Sequence, residues 1–395
     1  MRAFAVNKSG VLALTGRSHS GVMEGIALAP DMAGGVLVGG RRGRQPDDMP
    51  AQAWVARFSS EGKLVWRDLM GDALSTLTSL ALTPEGIYGA GWLIAGRERA
   101  ELRLFHWSNE GKRLWEFTAY RTSPSGAFLP VQLQPALEGG VYLLATIENP
   151  VSAGDWLLMR IDAQGRQIWQ QQFNGVDNGD DRAFVLAVDQ EGNLYAAGLT
   201  ERARGGPHIA LLSYSPSGAL RWQHESEPIE GEPRSFGILA LGIDTHGTLR
   251  LLIGRQLSMP PLQLQLRARL YRLNGEPIGT VEYPLLSSPL RPAFGGCFAP
   301  DGSLWTPIYP KEMHPAEGHD LLWRTARLQQ YDIEGKLQRE IPVEIEGVAL
   351  TAIRATACSG ERTLFTAVTG RLPVQRQDMS VPMTRHIWYL LKYTF

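Results

Sequence analysis

Short apolar runs recur along the whole chain, separated by polar phrases rich in Asp, Asn, Ser, Pro and Gly. FVLAVDQEGNLYAAGL (184–199), LALGIDTHGTLRLLIG (239–254) and GGCFAPDGSLWTPIY (295–309) each place a turn signal between two nearly continuous apolar runs, which is a hairpin pattern. A second kind of hairpin, as in DWLLMRIDAQGRQIWQQQF (155–173), alternates apolar and polar positions more strictly. No stretch sustains the 3.6-residue period of an amphipathic helix, so the elements predicted are strands throughout.

The turn glycines form two interleaved series. Gly10, Gly62, Gly111, Gly165, Gly218, Gly275 and Gly335 sit in phrases such as SSEGKLVW and DAQGRQIW, 49 to 60 residues apart. Gly35, Gly86, Gly140, Gly192, Gly247 and Gly302 fall between them, with Glu361-Arg362 in the seventh place. A repeat of this length is one supersecondary unit copied many times. Each unit holds two hairpins, strands a and b around the second series and strands c and d around the first. Strands a and b suit inner positions buried on both faces, and c and d suit outer ones.

Four strands in each of seven units predict an all-β fold, a seven-bladed β-propeller of four-stranded antiparallel blades. The last unit ends in HIWYLLKYTF (386–395), a c strand without a d strand, while the chain opens with a surplus strand, GVLALTG (10–16). That N-terminal strand is expected to complete the last blade and remove two open sheet edges. The alternative is that MRAFAVN supplies part of that blade as well. The expected organisation is a single domain over 1–395: a closing segment at 1–17, then blades near 18–70, 71–120, 121–174, 175–226, 227–284, 285–343 and 344–395 plus 10–16.

Trp66, Trp115, Trp169 and Trp222 each lie four residues after a c–d turn glycine. At a constant blade position they are expected to pack on the neighbouring blade rather than to form a stacking platform. Leu14, Gly279 and Arg339 replace them in the other units.

The segment LLMRIDAQGRQIWQQQFNGVDNGDDRAFVLAVDQEGNLYAAGLT (157–200) resembles the bacterial β-propeller repeat family, and residues 53–92 are similar but less regular. The shared motifs are turn and packing motifs. The resemblance therefore implies a propeller, together with a family in which many members are exported, and it transfers no catalytic residue.

Global composition changes this picture little. Charged residues make up 20% of the chain and the formal net charge is -1, which does not favour nucleic acid or an anionic membrane as partner. No apolar run is long enough for a membrane helix and no secretory h-region opens the chain, so a soluble, cytoplasmic monomer is expected, with export as the alternative if the N-terminus is a processed start. Cys297 and Cys358 are the only cysteines; counted from the turns they fall one residue out of register, which predicts opposite strand faces and two free thiols.

Candidate chemistry concentrates on the b–c and d–a connections, which share one face of a propeller and hold the long loops here, such as 39–52, 254–265, 308–320 and 369–385. A basic residue follows strand b in six units: Arg41, Arg97, Arg202, Arg255, Lys311 and Arg371, with Arg42, Arg44, Arg99, Arg204 and Arg376 nearby. Such a rim could bind carboxylates, phosphates or an acidic protein surface. The d–a loops carry acids on the same face, among them Asp68, Asp72, Asp177 and Glu225, so the rim could equally lock blade to blade through ion pairs.

Enzyme readings have less support. No Walker A, GxSxG or HExxH pattern occurs, and the polar residues of the inner strands do not share one depth. Glu24, Asp180 and Asp181 are the alternative set, a channel-mouth metal site for a hydrolase or lyase. His314, Glu317, His319 and Asp320 offer ligand types within one loop but no visible second shell. A glycan-binding alternative would use aromatics such as Trp92 as stacking platforms. The expectation is a non-catalytic scaffold that binds another protein and needs no metal or cofactor.

Overall fold

A computed structural model of the chain describes residues 2–6, 11–16, 22–31, 33–43, 52–70, 75–94, 99–123, 131–203, 206–226, 236–258, 262–288, 296–308, 314–315, 321–322, 326–345, 349–360, 363–374 and 383–395. The described residues are all-β, with seven antiparallel blades in a ring. Blade 1 spans Val22–Pro30, Val36–Gly43, Gln52–Phe58 and Leu64–Met70, and blade 2 Ser75–Thr83, Gly86–Ile94, Ala100–Trp107 and Arg113–Thr122. Blade 3 spans Val131–Pro135, Val141–Asn149, Ala153–Ile161 and Gln167–Phe173, and blade 4 Arg182–Val188, Leu194–Arg202, Gly206–Tyr214 and Leu220–Glu225. Blade 5 runs Phe236–Ile243, Thr248–Ser258, Leu262–Arg272 and Pro277–Glu282, and blade 6 Cys297–Phe298, Leu304–Ile308, Ala326–Tyr331 and Leu337–Val343.

Blade 7 closes the ring as expected. Ala349–Ser359, Thr363–Val374 and Met383–Thr394 supply strands a to c, and Val11–Gly16 pairs with the last of these as strand d. Arg2–Val6 adds a fifth strand outside it. Both chain ends are thereby tied into one sheet.

The apolar core lies between blades rather than in the middle of the ring. Leu102 and Leu104 of blade 2 share one cluster with Leu133, Leu143, Leu157 and Met159 of blade 3. Leu144, Trp156 and Leu158 on the other side of blade 3 pack with Leu186, Leu194 and Leu212 of blade 4. Inner strands are thus buried on both faces, which is why their sequences read as continuous apolar runs.

The four tryptophans make one repeated contact. The indole N–H of Trp66, Trp115, Trp169 and Trp222 donates to the carbonyl of Asn109, Ala163, Pro216 and Leu273, at 3.0, 3.0, 2.8 and 3.0 Å. Each acceptor lies two residues before the turn glycine of the next blade, and the ring lies over that glycine. A bulge directly before the tryptophan aims it there: Trp66 pairs with Arg57 and Leu64 with Phe58, leaving Val65 as the extra residue. The same irregularity precedes Trp115, Trp169 and Trp222, and it leaves apolar residues such as Val65, Leu114 and Ile168 exposed.

Seams without tryptophan use other devices. The Arg339 guanidinium of blade 6 stands 4.6 Å over the Phe395 ring of blade 7, on which Trp305 also stacks at 4.9 Å. Lys392 of blade 7 donates to the Gly34 carbonyl of blade 1 at 2.7 Å.

The cysteine expectation is corrected. Cys297 and Cys358 form a disulfide between the a strands of blades 6 and 7, with their Cα atoms 6.0 Å apart. The miscount has a local cause. In blade 6 the a–b turn holds the five residues 299–303 between the pairs Phe298↔Leu304 and Cys297↔Trp305, whereas in blade 7 it holds only 360–362 between Ser359↔Thr363 and Cys358↔Leu364. Measured from the last strand pair instead of from the turn, the two cysteines occupy the same position, so their side chains meet.

His106 on strand c of blade 2 is buried between Tyr88, stacked at 4.2 Å, and Trp115 at 5.1 Å. Burial holds its imidazole below the ordinary value of 6.5, against the opposing pull of the Glu85 carbonyl and carboxylate. A base whose pKa is depressed by folding takes up its proton more readily when unfolded. Stability is therefore expected to fall as pH drops below about 6.5. Urea denaturation of wild type and His106→Gln at pH 7.5 and 5.5 checks this; an equal loss in both proteins would remove His106 as the source.

Candidate functional site

Antiparallel blades put the a–b and c–d turns at one end of the ring and the b–c and d–a connections at the other. The tight turns are fixed by their own side chains: Asp162 Oδ1 accepts the Gln164 and Arg166 amides at 3.0 and 2.9 Å, and Gly165 takes φ +80. The opposite end holds the described basic residues of the b–c connections, Arg41, Arg42, Arg99, Arg202, Arg255 and Arg371.

Arg41 and Arg42 lie half-buried near the end of strand b of blade 1, where the Arg41 carbonyl accepts the Trp54 indole N–H at 2.9 Å. Arg202 ends strand b of blade 4 and is ion-paired with Glu225 on strand d of its own blade. It also faces Asp177 of the preceding d–a loop at 3.8 Å. Here the basic b–c and acidic d–a residues do lock together. Asp68, on strand d of blade 1, also joins two blades, but its partners are Arg113, beside the c–d turn of blade 2, at 2.6 Å and the Trp107 indole at 2.8 Å rather than a b–c residue. Arg99 departs from that pattern, since its partner is Glu101 on the adjoining c strand at 3.2 Å. Arg255 is half-buried opposite Phe236 and Gln265, and Arg371 lies on strand b of blade 7 opposite Ala349 and His386. Arg44, Arg97, Arg204, Lys311 and Arg376 lie outside the described residues.

Asp180 and Asp181 sit where the d–a loop enters strand a of blade 4. The Asp181 carboxylate is fully buried, accepting the Gly175 amide and, at 3.1 Å, the Glu201 amide. Burial pushes its carboxyl above the ordinary range, the amide bonds and the Thr200 hydroxyl oppose this, and the negative charge of Asp155 adds to the rise. Asp180 pairs with Arg182 at 2.5 Å, and its amide donates to Glu201 Oε2 at 3.1 Å. Asp155 itself is answered by neutral donors, Ser152, Asn149 and Gln172, at 2.5 to 2.6 Å. These groups shape the tight b–c turn of blade 3, the one unit without a basic residue there. Sequence reading missed Asp155, which alternation alone does not distinguish from a solvent-facing strand acid.

Glu24 lies on strand a of blade 1 opposite Arg41, and its side chain is outside the described portion. His314 pairs with Leu322 in a short hairpin, while Glu317, His319 and Asp320 are outside the described residues. Among the described residues no three His, Cys, Asp or Glu side chains come together as a metal set. Trp92 does not serve as an exposed platform: it is 1% exposed and belongs to the core between blades 2 and 3. It sits in strand b rather than in the loop that follows, because that strand runs on to Ile94.

No protein-family model matches the chain, and no curated protein sequence matches it. Solved propellers do. A catalytically inactive variant of virginiamycin B lyase from Staphylococcus aureus, solved with quinupristin, aligns with a TM-score of 0.50 and 12% identity, covering 98% of this chain and 99% of its own. Sqt1 from Chaetomium thermophilum also gives a TM-score of 0.50, at 10% identity over 95% of this chain and 97% of its own. At such identities the likeness is one of fold: this chain is a seven-bladed β-propeller.

Proposed function

We propose that the chain is a non-catalytic propeller scaffold that holds a protein partner on its long-loop face, with the basic rim as the contact surface. The observation that carries this reading is the concentration of long connections and arginines at one end of a ring whose other end is closed by tight, self-capped turns. The rim comprises Arg41, Arg42, Arg44, Arg97, Arg99, Arg202, Arg204, Arg255, Lys311 and Arg371. A channel-mouth hydrolase or lyase through Glu24, Asp180 and Asp181 has less support, because the Asp181 oxygens already accept amides and Asp180 already pairs with Arg182.

Charge reversal at Arg41, Arg42 and Arg44, and separately at Arg202 and Arg204, is expected to abolish recovery of the partner in a pull-down while circular dichroism stays unchanged. Undiminished recovery by both variants would remove the rim as the binding surface.

The disulfide bears on location. Two paired cysteines between blades fit an oxidising compartment better than the cytoplasm, where thiols are kept reduced. We therefore favour export. Among the described residues no helix is long and apolar enough to cross a membrane.

A further inference from the structure

Blade 2 crowds four charged side chains together at its long-loop end. Arg99 precedes strand c, Glu101 and Arg103 follow on the same strand face, and Arg121 lies directly opposite Glu101 on strand d. The Glu101 carboxylate is buried. Its Oε2 accepts Nε and a terminal N–H of Arg103 at 2.8 and 2.7 Å, and its Oε1 meets the Nε of Arg99 and of Arg121 at 3.2 and 3.3 Å. Arg103 reaches on to Glu116 at 3.3 Å. Burial works against ionisation of Glu101, and Arg103, Arg121 and Arg99 outweigh it, holding the carboxyl below its ordinary range.

Three guanidiniums thus face two carboxylates. Arg103 answers Oε2 alone, and Arg99 and Arg121 both meet the single remaining oxygen, Oε1, so together they bring more positive charge than that oxygen balances. Neither has a second acidic partner among the described residues, and their side chains are 56% and 63% exposed. Each meets Glu101 through Nε, and no bond from its terminal nitrogens to Glu101 accompanies that contact. Two exposed guanidiniums that share one buried carboxylate oxygen can take a second anion outside.

We propose that Arg99 and Arg121, fixed by Glu101, form an anion-recognition site that takes a carboxylate of an acidic segment of a protein partner. This rests on the reading of the long-loop face as a protein-binding surface and names the chemistry it selects. Inorganic phosphate serves as the competitor that separates carboxylate recognition from a phosphate site.

The test is fluorescence anisotropy with a fluorescein-labelled octaglutamate peptide. Arg99→Gln/Arg121→Gln retains both Arg103 contacts to Oε2 but removes the cationic contacts to Oε1, so it should melt somewhat below wild type, and circular dichroism at the assay temperature checks that it is folded. It is expected to weaken peptide binding by about ten-fold or more, the scale of losing one charge-assisted contact. Arg99→Lys/Arg121→Lys keeps the charge but loses the fork and should also bind more weakly. Arg166→Gln/Arg272→Gln removes the same charge from the tight-turn end, where both arginines pair locally, and should change binding by less than about two-fold. Equal weakening by this control, no binding by wild type, or displacement by phosphate at concentrations where acetate has no effect would each overturn the proposal. Loss of peptide binding in the control variant alone would do the same. The charge reversals in blades 1 and 4 leave Arg99 and Arg121 in place, so partner recovery lost there while the peptide result holds would separate the two readings.

Discussion

Reduction of the Cys297–Cys358 bridge is expected to lower the free energy of unfolding by up to about 4 kcal/mol, the chain-entropy value for a loop of this length. The bridge closes a segment with a sequence separation of 61, which contains nearly the whole of blade 6. Among the described residues its strand a has two paired residues, Cys297 and Phe298. Neither of its seams has the tryptophan contact, since Gly279 stands at that position in blade 5 and Arg339 in blade 6. The loss should therefore begin locally. Chemical denaturation with and without dithiothreitol, beside Cys297→Ser/Cys358→Ser, measures its size, and hydrogen exchange should show blades 6 and 7 opening first. Alkylation of protein purified without reductant supplies the companion measurement. Two reactive thiols in the native protein would refute the bridge and remove the argument for export that rests on it.

The fold was largely legible in the sequence because its repeated features are local. A c–d turn that needs a glycine with positive φ writes that glycine into the chain copy after copy, at Gly62, Gly111, Gly165, Gly218, Gly275 and Gly335, whether Asp, Ser or Arg opens the turn. Strand faces came through where hairpins are regular. They failed at Cys358, where a turn shorter by two residues than that of blade 6 moved the count by one on each side. The bulges before the tryptophans were also hidden, because an extra residue in a strand changes pairing without changing composition.

The site was less legible. The basic rim was visible as residue types, but its partners depend on which strands lie side by side. Arg202 found the acids of the d–a side, whereas Arg99 found Glu101. Glu101 and Arg121 are far apart in sequence and directly opposed in the sheet, and nothing in the alternation of strand c marks Glu101 as buried. Trp92 misled for a related reason: the end of a strand cannot be placed to within a few residues from its apolar run, and those few residues separate core from loop.

The repeated tryptophan contact yields the other large effect. Gly111→Ala should destabilise the protein by about 3 kcal/mol or more, combining a left-handed backbone with overpacking. The backbone at Gly111 has φ +88, and an added Cβ would lie 2.4 Å from Cδ2 of Trp66 in the preceding blade. Trp66→Ala alone should cost about 2–3 kcal/mol, less than a fully buried ring because Trp66 is only half-buried. The decisive quantity is the coupling. With the ring gone, Gly111→Ala retains only its backbone cost of about 1–2 kcal/mol, so the double variant should be more stable than the sum of the single losses predicts by about 1 kcal/mol or more. Strict additivity would mean that the glycine serves its own turn and that the ring above it is incidental. Sub-additivity would mean that this turn glycine is also the seat of the preceding blade's tryptophan, so that one residue fixes both the hairpin and the seam. The same cycle at Gly165 and Trp115, where the added Cβ would lie 3.0 Å from the ring, should show a smaller coupling, because the clash it relieves is milder.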